Sequence, residues 1–140
     1  MKSIKIYITI LLILNCLILI GAGHGFGPLI LIEFLVFSPN FTNSYEINFL
    51  GSYDQRIIPF SILSIIPQIL LLTSFFVKAH FKLKLIIFSV IFMIINLIYF
   101  TFDFIDSGLS KFTLISSIPF LICATFVLIK IFSNIKLRND

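Results

Sequence analysis

Apolar residues fall into four long runs separated by short polar clusters. They extend from Ile6 to Ala22, from Ile57 to Val77, from Leu85 to Phe102 and from Phe112 to Ile129, and none contains a charged side chain. Each is 17 to 21 residues long. At about 1.5 Å per residue a helix of that length crosses a hydrocarbon layer of about 30 Å. In lipid every backbone amide has to pair within its own segment, so these runs are expected to be helices.

A fifth apolar stretch, Leu29 to Phe37, has nine residues and contains Glu33. It is too short to span. It follows Gly21-Ala22-Gly23-His24-Gly25-Phe26-Gly27-Pro28, where four glycines and a proline in eight residues favour a break. Pro28 suits the first turn of a new helix. Residues 29–37 are therefore read as a short interfacial or re-entrant helix, and residues 38–56 as a polar, aromatic outer loop. The expected architecture is an all-α integral membrane protein: one domain over residues 1–140, an antiparallel bundle of four transmembrane helices with a short extra helix after the first span.

Composition supports this reading. The chain of 140 residues is 59% apolar and only 11% charged, and its mean hydropathy is +1.16. A soluble domain is nearer half apolar and a quarter charged, so a water-soluble globule and a disordered chain are excluded. A net charge of +4, spread in small clusters, is not the footprint of a nucleic-acid module.

Charge also sets orientation. Lys2 and Lys5, then Lys78, Lys82 and Lys84, then Lys130, Lys136 and Arg138 all fall on one side of a four-span layout. With Asp140 that side carries +7; the other holds Arg56 and Lys111 against Glu33, Glu46, Asp54, Asp103 and Asp106, or −3. Basic loops stay in the cytoplasm, so both termini are expected inside a cell membrane, read as a bacterial inner membrane. The segment from Lys2 through Gly23 also has features of a signal peptide, but its oily run is long for one, and it is read as a retained anchor. Cys16 and Cys123 lie in separate apolar runs, form no CxxC pair and are read as packing residues.

Two sets of residues are candidates for chemistry. Asn15, Gln68 and Asn96 each fall near the middle of an apolar run, which places three amides at similar depth. Unpaired amides in hydrocarbon are costly, so these are expected to face inward, as glue between helices or as the lining of a polar path. Ser61, Ser64 and Gln68 share one face of their helix, and Ser89, Asn96 and Asp103 repeat every seven residues on theirs. Prolines 59 and 67 in the second run and Pro119 in the fourth are sites for kinks.

The second set is an outer-face cluster of His24, Glu33, Asp103 and Asp106. Two carboxylates at i and i+3 with a histidine suit a divalent cation or proton transfer. Glu33, between Ile32 and Phe34, is the least expected charge, and an ionisable group at membrane depth is a functional hypothesis by default. The bland alternative is headgroup-zone charge, solvated or paired with Arg56 and Lys111.

Three functional classes follow, in this order. The first is a non-enzymatic accessory or scaffold protein, the second a small oligomeric transporter or channel, and the third a membrane enzyme or metal-binding protein using the outer cluster. No cofactor is implied. The expected partners are the lipid bilayer and either a second copy or another membrane protein.

Overall fold

A computed structural model describes residues 2–22, 25–42 and 47–139; among them the chain is mostly helical, with one two-stranded hairpin. The order is α1 (Lys2–Cys16), β1 (Leu19–Ala22), β2 (Gly25–Pro28), α2 (Leu29–Leu35), α3 (Pro39–Thr42), α4 (Tyr53–Thr73), α5 (Ala79–Phe100), α6 (Gly108–Ser116) and α7 (Ile118–Asn139). Two helices, α4 and the Phe81–Phe100 part of α5, are long and apolar enough to cross a membrane. They become three if α6 and α7, bent by 48° at their junction, count as one span. α1 is a shorter apolar helix.

The helices are apolar on their outer faces as well as in the core, where Leu11, Ile57, Phe60, Val90, Phe100 and Phe120 are buried. Ile62, Ile66 and Ile69 on α4, Phe88, Ile91, Ile95 and Ile98 on α5, and Ile122, Phe126 and Ile129 on α7 are all exposed. Their spacing of three and four residues makes each set an apolar stripe. Among these apolar residues the interior also holds Asn15, Glu33, Arg56, Ser61, Ser64, Gln68, Ser89 and Asn96. An apolar exterior around buried polar groups suits a hydrocarbon surrounding and the requirement that interior polar atoms find partners.

The first apolar run does not stay helical to its end. α1 stops at Cys16, and the chain enters the hairpin at Leu19, still within the run. The strands pair antiparallel, with Ile20 opposite Gly27 and Ala22 opposite Gly25. The Leu29 N–H then donates to the Ile18 carbonyl at 2.8 Å, so α2 begins beside the residue from which the hairpin departed. Leu19 and Gly21 turn their amides to the other edge of β1, where Ser116 Oγ (3.1 Å) and Tyr53 Oη (3.2 Å) accept them. That edge is thus closed by side chains from α6 and α4. A Cβ on Gly21 would come within 2.7 Å of Leu109 Cδ2, so the glycine lets α6 lie close against β1.

α4 is one continuous helix despite its prolines. Pro59 has no N–H for the Gln55 carbonyl four residues earlier. That carbonyl accepts instead from Asn48 N–H at 3.3 Å. Upstream, Gln55 Oε1 accepts the Ser52 N–H at 3.0 Å, a capping interaction that starts the helix at Tyr53, ahead of the apolar run at Ile57. α5 returns antiparallel against α4, and Phe60 and Phe100 stack between them with centroids 4.2 Å apart. Tyr7 of α1 meets Phe126 of α7 edge-on at 5.3 Å.

The fourth apolar run is broken. Pro119 disfavours a helical Ile118 before it and removes the partner of the Ile115 carbonyl. Next to it, Ser116 and Ser117 donate their hydroxyls back to the Thr113 and Leu114 carbonyls at 2.9 and 2.7 Å. The chain bends there, and α7 continues to Asn139.

Candidate functional site

The most concentrated polar arrangement lies where α1, α2 and α4 meet. Gln68 Nε2 donates to Glu33 Oε1 at 2.6 Å and to Asn15 Oδ1 at 2.9 Å. One amide nitrogen therefore ties three elements together with both of its hydrogens. Glu33 is only 6% exposed and Asn15 only 4%. Beside the triad is a lateral groove of about 230 Å³ between α2 and α4, lined by Ile30, Glu33, Phe34, Phe37, Ile65 and Gln68.

The hairpin explains how these groups come together. It carries the chain away from α1 and returns it to Ile18, so α2 sets out next to the end of α1 that bears Asn15. Glu33 accordingly sits with two of the three candidate amides, Asn15 and Gln68. It shares no hydrogen bond with Asp103 or Asp106 among the interactions of the described residues.

Asn96, the third amide, is held elsewhere on α4. Its Nδ2 donates to Ser64 Oγ at 2.7 Å and to the Phe60 carbonyl at 3.2 Å. Its Oδ1 is buried without a hydrogen-bond partner. Asn96 thus locks α5 to α4 on the face formed by Ser61, Ser64 and Gln68.

Asp103 belongs to a third group, in the turn that follows α5. Its Oδ2 lies 2.7 Å from Arg56 Nη2, and its Oδ1 accepts from Ser110 Oγ at 2.5 Å. Arg56 is fully buried, also donates to the Tyr99 carbonyl at 3.1 Å, and lies over the Phe102 ring at 4.0 Å. Burial by itself raises the Asp103 carboxyl. The Ser110 and Arg56 hydrogen bonds and the Arg56 charge outweigh it and hold the group below the usual carboxylate range. Asp106 is exposed, and His24 lies outside the described residues. Among the described residues no three His, Cys, Asp or Glu side chains gather as a metal site.

Two participants had no place among the sequence candidates. Tyr53 Oη accepts from Gly21 N–H and lies 2.7 Å from Thr113 Oγ1, joining the hairpin, α4 and α6. Ser110 completes the Asp103 group. Nothing in local spacing pairs residues 60 positions apart.

The arrangement defines a helical protein with two or three apolar segments long enough to cross a membrane and buried polar groups that cross-link its helices within an apolar core. No protein-family model matches the chain, and neither characterised proteins nor solved structures offer a match.

Proposed function

We propose that this chain is a non-enzymatic accessory or scaffold protein of a cell membrane. In this reading it crosses the bilayer four times, with α1 and the bent α6–α7 pair as the first and last spans and both termini cytoplasmic. The observation that supports it is the use to which interior polarity is put. Gln68 binds Asn15 and Glu33, Asn96 binds Ser64, Arg56 binds Asp103, and Tyr53 meets Thr113. Each contact joins separate elements and fixes their packing. Such bonds are worth roughly 0.6–2 kcal/mol apiece in a membrane, enough to select one arrangement of helices. The distribution of basic residues supports the orientation.

The test is extraction of the tagged chain from its own membranes in mild detergent, followed by native mass spectrometry. The expected result is a stoichiometric complex with another membrane protein. A chain that extracts alone and conducts protons or small ions after reconstitution into vesicles would overturn the reading in favour of a transporter or channel.

A further inference from the structure

The groove beside Glu33 has three properties that together specify an occupant. The first is shape. Ile30, Glu33 and Phe34 follow one another at i, i+3 and i+4 along one face of α2, and Phe37, in the turn after it, extends the same wall. Ile65 and Gln68 of α4 form the opposite wall. The second is exposure. Phe34 and Phe37 are 71% and 73% exposed, so the walls of the groove are uncovered phenyl rings while the carboxyl on its floor is nearly buried.

The third is charge. Gln68 gives Glu33 a neutral donor. The ion pair seen among the described residues is Arg56–Asp103, and it does not involve Glu33. A carboxylate buried in apolar surroundings is costly until a cation reaches it. An acyl chain filling the groove brings no donor. A second copy of this chain brings no cation from within an apolar run: its lysines lie at or beyond the run boundaries, and its Arg56 is buried against Asp103.

We propose that the α2–α4 groove is the docking site for a membrane-spanning helix of another protein that carries one lysine or arginine within its apolar run. The basic side chain meets Glu33, and the helix packs against Phe34, Phe37 and Ile65. Aromatic rings beside the carboxylate add cation–π attraction for that same side chain. The proposal rests on the accessory-protein reading and names the chemistry of its partner.

The experiment uses the full-length chain, dye-labelled in phosphatidylcholine vesicles, with a labelled host peptide. The host is an apolar leucine–alanine helix of about 21 residues with a single central lysine. Energy transfer reads association. The lysine peptide is expected to associate about tenfold more strongly than the same peptide with a central leucine. Glu33→Gln is expected to erase that preference while keeping the melting temperature, since its side-chain carbonyl still accepts from Gln68. Phe37→Ala, a change at an exposed ring, is expected to weaken both peptides alike, and it decides the matter if Glu33→Gln does not fold. Equal binding of the two peptides, no binding of either, or a lysine preference that survives Glu33→Gln each overturns the proposal. A native partner whose extraction ignores Glu33→Gln would leave the accessory reading standing without this site. A lysine-selective groove on a chain that extracts alone would leave the site and remove the reading.

Discussion

Arg56 Nη2 lies 2.7 Å from Asp103 Oδ2, which fastens the first turn of α4 to the turn that closes α5. Arg56 is fully buried, whereas the Asp103 side chain is 23% exposed, so the pair is asymmetric. Loss of the acid leaves a buried guanidinium without its counter-charge. Asp103→Asn is expected to cost about 3 kcal/mol, read as a fall in thermal stability of the purified protein at neutral pH. A variant that melts with the parent would show that the pair adds nothing.

The same pair gives a pH dependence with a defined sign. The folded Asp103 carboxyl titrates below its ordinary value. Its stabilisation is therefore complete above about pH 4, the unfolded carboxylate range, and disappears as pH falls through the lower folded value. Melting curves from neutral pH into the acid range should show the parent losing stability there. Asp103→Asn should start lower and lose less. Parallel acid limbs for the two proteins would count against the assignment.

Gln68 is shared between two acceptors, so its removal is expected to be non-additive with theirs. Gln68→Leu should destabilise by about 1–3 kcal/mol, because Glu33 and Asn15 both lose a buried donor. In the double variant with Asn15→Leu the total should be smaller than the sum of the single costs, since one hydrogen bond is counted in both. Unfolding in mixed micelles of rising denaturing-detergent fraction measures the cycle. Strict additivity would mean that the two amides do not interact.

A side chain at position 51 is expected to damage the start of α4. A Cβ added to Gly51 would lie 2.0 Å from Gln55 Oε1, the atom that accepts the Ser52 N–H. Gly51→Ala should cost about 1 kcal/mol through loss of that cap. Placed on a Gln55→Ala background it should cost far less, because the clashing atom is gone. An equal penalty in both backgrounds, by thermal melts, would place the defect elsewhere.

Tyr53→Phe removes one oxygen that serves both Gly21 and Thr113. The expected loss is about 1–2 kcal/mol. The local readout is hydrogen exchange at the Gly21 amide, which should speed up more than that of Ile20, whose backbone faces β2. Unchanged exchange at Gly21 would mean that the strand edge is protected without Tyr53.

Hydropathy made α4 and α5 legible because a helix that fits a hydrocarbon layer needs about 20 apolar residues and both runs supply them. It misplaced their beginnings. Tyr53-Asp54-Gln55-Arg56 is polar yet helical, because Ser52 and Gln55 cap the helix and Arg56 is neutralised inside the protein. The glycine-rich segment correctly marked a break after the first run. Leu19 and Ile20 concealed that the break is a β-hairpin, since apolar residues at the end of a helical run read equally well as more helix. The grouping of Glu33 was not legible at all. Position along the chain placed it beyond the first span with Asp103, and only the backbone return to Ile18 brings it to Asn15 and Gln68.

The return path of the hairpin also imposes an order of events on synthesis. Glu33 leaves the ribosome 35 residues ahead of Gln68, the side chain that pairs with it. At roughly 5–20 residues per second that interval is about 2–7 s. During it Glu33 lacks the donor that it has in the folded chain. The N-terminal quarter of the molecule is therefore complete in sequence before it can be complete in structure: Gln68 closes the triad, and Ser116 of α6 closes the β1 edge later still.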